Sequence, residues 1–126
     1  ISRGLVGSEM CIRDRAYSAL IDDLSDRGML DDTLLIAMGE FGRTPKISNR
    51  AAREHHKDCY FSIWAGGGIE PGRVIGESDA KAEHPITRPI TPLQVGTTIA
   101  ELCGIGARKR AEMKVLDGGS VIHELI

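Results

Sequence analysis

Two short polar segments of this 126-residue chain contain the side chains best suited to chemistry. In the first, Glu40 and Arg43 stand among glycines just after an apolar run. In the second, residues 53–56 read Arg-Glu-His-His and end in the pair His55 and His56. Imidazole and carboxylate groups are typical ligands of divalent ions, and the planar guanidinium of arginine fits sulfate or phosphate. The two segments therefore predict a metal-binding or anion-binding site.

The apolar run at residues 33–38 predicts the strand that positions the first of these segments. Such a run is typical of a strand buried on both faces of a parallel sheet. Ligands of open α/β sheets bind just beyond the carboxyl ends of the strands, which is where Glu40 and Arg43 fall. Residues 16–27 have apolar side chains at helical spacing and are followed by Gly28, so we expect a helix there. Helix, short loop and buried strand form half of a βαβ unit.

Further elements are indicated downstream of the polar segments. Residues 60–65 predict a second strand that ends at three glycines. Thr91, Pro92 and Gln94 form the pattern of a helix N-terminus with a capping box, which predicts a helix that ends before Gly104. We also expect a long polar loop at residues 43–58 and a short edge strand at residues 73–76. Residues 107–114 are expected to be an exposed charged segment, and residues 115–122 a closing turn or hairpin.

Each candidate side chain also has a plain interpretation. Glu40 could be a solvated turn carboxylate and Arg43 a surface arginine, whereas His84 could be a peripheral ligand or an ordinary loop histidine. Neighbouring residues of an extended segment point in opposite directions, so His55 and His56 would not both reach one ion. Because a metal needs three or four donors and this segment offers two or three, a complete site requires other residues.

Composition narrows the class of protein. The net charge of −2 gives no indication of a nucleic-acid or acidic-membrane partner. No apolar run approaches the roughly 20 residues that a membrane-spanning helix needs. The three cysteines are too few and too scattered for a disulfide framework, and Cys59 and Cys103 are interpreted as small buried hydrophobic residues.

The first fifteen residues differ in character from the rest. Residues 1–15 have no clear periodicity, and they resemble a translated sequencing-adaptor read-through. We therefore interpret them as a non-native segment, and expect residues 16–126 to be the C-terminal portion of one longer domain. On this hypothesis the absence of a signal peptide carries no weight.

The order of several blocks resembles a known family. They are TLLIAMGEFGRTP, REHH, YFSIWAGGGIEPGRVIG and RPITPLQVGTTIAELCGI. Together they are similar to the C-terminal part of a sulfatase-like domain-of-unknown-function family, number fifteen-oh-one, placed in the alkaline-phosphatase superfamily. The resemblance covers residues 16–126. It implies the last quarter to third of a longer protein with an incomplete α/β/α sandwich and a mostly parallel sheet.

The resemblance also implies roles for individual residues. In the superfamily pattern a strand ends in Asp-His, and both residues bind metal. Glu40 takes the aspartate position, Phe41 takes the histidine position, and His55 matches a later histidine. Phe41 cannot bind a metal, which leaves one ion held by Glu40, His55 and upstream carboxylates, with His56 as a further candidate ligand. The metal could be zinc, calcium or magnesium.

The implied activity is hydrolysis of a sulfate or phosphate ester, with Arg43 orienting the anionic group. The substrate would be a small anionic ester or a sulfated carbohydrate. The superfamily nucleophile lies upstream, so the chain alone is expected to be inactive. The alternative is a non-catalytic binding protein or pseudoenzyme that uses the same fold. The parent protein is expected to be exported, to the periplasm or the cell surface.

Overall fold

The structure, a computed structural model, describes residues 5–126, with side chains described from residue 11 onward. Its helices are α1 (Leu5–Asp26), α2 (Pro92–Leu102) and α3 (Ala107–Met113), and single 3-10 turns span Leu30–Asp32 and His123–Leu125. Its strands are β1 (Leu35–Met38), β2 (Gly42–Arg43), β3 (His55–His56) and β4 (Ser62–Ala65). Among the helices described, none has the length and apolar character needed to cross a bilayer. The prediction of a mixed α/β chain is confirmed at this level.

Strands β1 and β4 form a two-stranded sheet, and their pairing is antiparallel. Leu35 lies opposite Ala65, and Met38 lies opposite Ser62. A parallel pair needs a long crossover, usually a helix. Residues 39–61 instead form turns and one hairpin. The mostly parallel sheet expected from the sequence is therefore not shown by the described residues, because an apolar run marks a strand without fixing its direction. The expected burial of this strand on both faces is not shown either, since residues 35–37 are half-buried and Met38 is exposed.

Helix α1 contacts this sheet through Tyr17. The Tyr17 hydroxyl donates to the carbonyl oxygens of Leu35 at 3.2 Å and Ile63 at 3.4 Å, so it contacts both strands. Burial raises the pKa of this hydroxyl. The helix predicted at residues 16–27 is confirmed, and Gly28 follows it at φ +65°. In the structure α1 begins at residue 5, so it continues into the segment interpreted as foreign.

The non-native origin of residues 1–15 stays a prediction, and residues 1–4 lie outside the described residues.

Helix α2 has the capping box that the sequence predicts. The Thr91 hydroxyl accepts from the Gln94 amide, and the Gln94 side chain accepts from the Thr91 amide. Inside the helix, the fully buried Thr98 hydroxyl donates to the Gln94 carbonyl and accepts from the Ile122 amide at 2.9 Å. Ile122 is 1% exposed. The C-terminal segment is therefore fastened to α2 by a buried hydrogen bond.

Helix α3 was expected to be exposed, and one of its residues is not. The Arg110 side chain is 8% exposed, pairs with the Glu101 carboxylate and donates to the Ile105 carbonyl at 2.7 Å. This buried arginine joins α3 to the end of α2. The prediction was wrong for Arg110, because charge alone does not reveal a partner on the neighbouring helix.

The short edge strand expected at residues 73–76 is absent from the described residues, and the nearest pairing is a single bridge between Ser78 and Pro85. Val74 is 94% exposed, so no neighbouring strand covers it. The apolar residues that suggested this strand are too few to bury a face. Of the two alternatives at residues 115–122, the structure has the turn, in which the Gly119 amide donates to the Leu116 carbonyl at 3.1 Å.

Candidate functional site

The segment expected to be a long loop forms a hairpin through strands β2 and β3. Arg43 lies directly opposite His55, and the pairing continues where the Thr44 amide donates to the Glu54 carbonyl at 3.0 Å. We name residues 42–57 the basic hairpin, because it contains five basic residues against one glutamate. The hairpin is what brings the two polar segments of the sequence together.

Arg53 holds the base of this hairpin closed. One nitrogen of its guanidinium donates to the carbonyl oxygens of Thr44 at 2.7 Å and Pro45 at 2.5 Å. Nearer the tip, the Ser48 amide donates to the Ala52 carbonyl at 2.8 Å. These bonds give the basic hairpin a defined shape beyond its two short strands.

Phe41, Arg43 and His55 form one cluster at the base of the basic hairpin. The Phe41 and His55 rings are 3.7 Å apart between centroids, with a 32° angle between their planes. The Arg43 guanidinium carbon lies 5.3 Å from the centre of the Phe41 ring, within the range of a cation–π contact. The ring thus supports a guanidinium and an imidazole, both exposed to solvent. This cluster can present hydrogen-bond donors to an anion.

His56 belongs to a different neighbourhood. Its Nε2 atom lies 2.9 Å from the carbonyl oxygen of Glu83, in the loop that precedes α2. The strand alternation that separates neighbouring side chains places His55 toward Phe41 and His56 toward Glu83. The two histidines therefore do not share one set of contacts, which agrees with the sequence argument that one ion would not recruit both.

Glu40 is exposed in the turn between β1 and β2, directly before Phe41. Among the residues that the structure describes, no three His, Cys, Asp or Glu side chains are gathered closely enough to hold a metal ion. Glu40 and His55 would supply two donors, whereas zinc in proteins takes four ligands. The described residues alone therefore do not fit a complete metal centre.

Asp58 and His84 approach each other beside β3, a proximity that the sequence did not indicate. His84 Nδ1 lies 3.9 Å from Asp58 Oδ2, and Lys57 Nζ lies 2.6 Å from Asp58 Oδ1. The hydrogen bond from Lys57 is the largest cause that lowers the pKa of Asp58, with smaller contributions from His56 and His84. The separation of 26 residues between Asp58 and His84 gave no signal of this contact.

Cys59 does not have the environment of a reactive thiol. Burial is the main cause that raises its pKa, and the negative charges of Asp79 and Asp58 raise it further. A raised pKa keeps the sulfur protonated, and the thiolate is the nucleophilic form. The sulfur of the half-buried Cys59 is thus unlike that of a cysteine nucleophile. Cys103 is exposed, so its interpretation as a small buried hydrophobic residue was wrong.

A small apolar cavity lies apart from these groups. It measures about 230 Å³ between α1 and the sheet, and its lining includes Tyr17, Ile21, Ala37 and Ile63. None of the sequence-predicted site residues lines it. Its charged and polar lining comes from α1 alone, through Arg13, Asp14, Ser18 and Asp22. The basic hairpin, in which two separate segments bring donors together, remains the candidate site.

The fold and the site define a class: a mixed α/β chain in which a hairpin presents an arginine and a histidine on one aromatic ring. The chain belongs to the family described as Protein of unknown function (DUF1501), whose family model matches residues 6–126. The family predicted from the order of the sequence blocks is thereby confirmed. Searches of curated proteins and of solved structures returned no match.

Proposed function

We propose that this chain forms part of a hydrolase of sulfate or phosphate esters, in which Arg43 and His55 contact the anionic group. The observation that carries the proposal is the pairing of β2 with β3, which sets Arg43 opposite His55. The planar fork of arginine can bind two oxygens of one sulfate or phosphate at once. The imidazole of His55 can donate a further hydrogen bond to the same group.

The proposal extends to the wider fold, an α/β/α sandwich of the alkaline-phosphatase superfamily with a mostly parallel sheet. Its support is the incomplete cover of the β1–β4 sheet. Met38 and Ile63 are 48% and 37% exposed, and Phe61 beside the sheet is 61% exposed. Apolar strands of a sandwich are normally buried by helices on both faces. A larger assembly of strands and helices around this pair would bury these side chains.

We also propose one divalent ion, zinc, calcium or magnesium, held by Glu40 and His55 with carboxylates from elsewhere in the protein. Such an ion would polarise an ester oxygen. His56, which contacts the Glu83 carbonyl, would stay outside this ligand set. Arg43 would contact the anionic group in either case, whereas His55 would hold the ion where one is bound and donate to the anionic group where none is.

Hydrolysis of an aryl sulfate and an aryl phosphate by the purified full-length protein tests this function. Turnover of one of them, reduced at least tenfold by Glu40→Ala and by His55→Ala, is the expected result. Glu77→Ala is a matched control, since it removes an exposed carboxylate outside the basic hairpin. Turnover that survives both site substitutions, or no turnover with either ester, would contradict the proposal.

A second candidate is a non-catalytic binding protein that recognises an anion or a carbohydrate at the same cluster. The contact between the rings of Phe41 and His55 favours it, because an aromatic ring stands where a metal donor would be needed. Metal analysis and binding measurements separate the two. A protein that contains no metal, turns over neither ester and still binds a sulfated carbohydrate through Arg43 would be a binding protein.

A further inference from the structure

The positive charge of the chain is concentrated on the basic hairpin. Residues 42–57 have a formal charge of +4, whereas the whole chain is at −2, so the remainder is at −6. All five basic side chains of the hairpin belong to exposed residues: Arg43, Lys46, Arg50, Arg53 and Lys57. A local field of this kind attracts anions to the hairpin and repels them from the rest of the surface.

Most of these cations have no carboxylate partner. The ion pairs of the described residues include Lys57, with Asp58 at 2.6 Å, and leave out the other four basic residues of the hairpin. Arg53 is occupied by the carbonyl oxygens that it holds at the base. The Arg43 guanidinium donates one bond to the Arg53 carbonyl at 3.4 Å and has further N–H groups for a ligand. Lys46 and Arg50 lie at exposed positions nearer the turn of the hairpin.

A ligand with one anionic group would not use all three cations. The cluster of Arg43 and His55 can satisfy a single sulfate or phosphate, which leaves Lys46 and Arg50 farther along the hairpin. Between them Ile47 is 59% exposed and offers an apolar contact at the tip. The arrangement suits an extended ligand with repeated negative charges and an apolar face between them.

We propose that the basic hairpin is a binding arm for a linear sulfated polysaccharide, with Lys46 and Arg50 contacting sulfates beyond the one held at Arg43. The role of Arg43 at a reacting ester rests on the proposed function, whereas the contacts of Lys46 and Arg50 do not. Single-stranded nucleic acid is disfavoured, because the Phe41 ring at the base of the hairpin is already in contact with Arg43 and His55, and residues 42–57 contain no further Phe, Tyr or Trp on which bases could stack. The structure thus points to a polymer rather than a small ester as the ligand.

The test compares binding of dextran sulfate and uncharged dextran to the purified full-length protein. The double variant Lys46→Gln/Arg50→Gln removes the two outer cations, and Arg108→Gln/Lys109→Gln removes two exposed cations of α3 as the matched control. We expect the protein to bind dextran sulfate and not uncharged dextran. Its affinity for dextran sulfate should be at least tenfold lower in the hairpin variant, and within twofold of wild type in the α3 variant. The number of counterions released scales with the number of ionic contacts. The slope of log affinity against log salt concentration should therefore be smaller by about two in the hairpin variant than in wild type.

Three results would overturn this inference. They are no binding of dextran sulfate, equal loss in both double variants, and tighter binding of polyphosphate or of a single-stranded oligonucleotide than of dextran sulfate.

Failure of the hydrolase proposal is distinguishable from failure of this one. If dextran sulfate binds through the hairpin and neither the aryl sulfate nor the aryl phosphate is hydrolysed, the binding arm is supported and the hydrolase is rejected. If one of these esters is hydrolysed and dextran sulfate does not bind, the hydrolase is supported and the binding arm is rejected.

Discussion

Arg43 and His55 are directly opposed residues on the paired strands β2 and β3, although eleven other residues separate them along the chain. Phe41 contacts both side chains, as a ring neighbour of His55 and as the surface beneath the Arg43 guanidinium. The pairing converts two unremarkable polar segments into one donor surface.

Arg43→Lys should weaken binding of inorganic sulfate or phosphate at least fivefold. The substitution keeps the positive charge and loses both the planar fork and its stacking on Phe41. Competition by the two anions against aryl ester hydrolysis, or calorimetry where no turnover occurs, measures the effect. Arg73→Lys, on an exposed residue outside the hairpin, is the control. Equal affinity in wild type and Arg43→Lys would remove Arg43 from the site.

His55→Ala and His56→Ala should have different consequences. Loss of His55 should weaken anion binding, because its ring lies in the cluster with Phe41. Loss of His56 should leave anion binding within twofold and speed amide hydrogen exchange in residues 79–84, since its contact with the Glu83 carbonyl disappears. Calorimetry and hydrogen exchange distinguish the two variants. Identical behaviour would mean that the histidines act as one unit.

Gly42→Ala should destabilise the chain by about 1–3 kcal/mol. Gly42 is buried, and an added Cβ would collide with the backbone carbonyl of Cys59. The backbone has to move because a carbonyl group is not a flexible side-chain end. Urea unfolding measures the change, and Gly39→Ala is the control, because its Cβ would lie 3.4 Å from its nearest neighbour, in ordinary contact. Equal midpoints for the two variants would contradict the close packing of β2 on residue 59.

Thr98→Val should cost about 1–3 kcal/mol of unfolding free energy, because the buried Ile122 amide would lose its acceptor. Valine has nearly the volume of threonine, so packing is preserved while the hydrogen bond is lost. Thr97→Val is the control: its hydroxyl donates to the Leu93 carbonyl within the same helix. Thermal unfolding measures the loss of unfolding free energy in each of the two variants. A larger loss for Thr97→Val would show that Ile122 does not depend on Thr98.

Asp79 should make the loop at residues 79–84 sensitive to acid. Its carboxylate accepts from the amides of Glu83 at 2.9 Å and Lys81 at 3.0 Å, and the Glu83 bond is the main cause that lowers its pKa. A pKa that is lower in the folded state gives stability above the ordinary carboxyl value, near 3.8, and that stability is lost as pH falls through the lower folded value.

Hydrogen exchange of this loop between pH 5 and pH 2 tests the dependence, with rates corrected for the intrinsic pH effect on exchange. Protection should fall with acid in wild type and stay nearly constant in Asp79→Asn, because the asparagine oxygen does not titrate there. Asp117→Asn, in an exposed turn, should retain the wild-type behaviour. An unchanged profile in Asp79→Asn would assign the acid sensitivity to other groups.

The sequence by itself determined the elements that depend on local patterns. The α2 capping box at Thr91 and Gln94, the end of α1 before Gly28 and the strands at residues 35–38 and 62–65 all follow from nearby residues and their periodicity. The family also followed from the sequence, because it is read from the order of blocks along the chain.

Only the tertiary structure decided which segments meet. The antiparallel direction of β1 and β4, the opposition of Arg43 and His55, the turn of His56 toward Glu83 and the burial of Arg110 against Glu101 are all long-range or interhelical contacts. An apolar run indicates that a segment needs a covering surface, and a charge indicates that a side chain needs solvent or a partner. Neither pattern specifies which distant part of the chain provides that contact. That choice comes from packing the whole chain at once, which is why the candidate residues were found from sequence and their grouping was not.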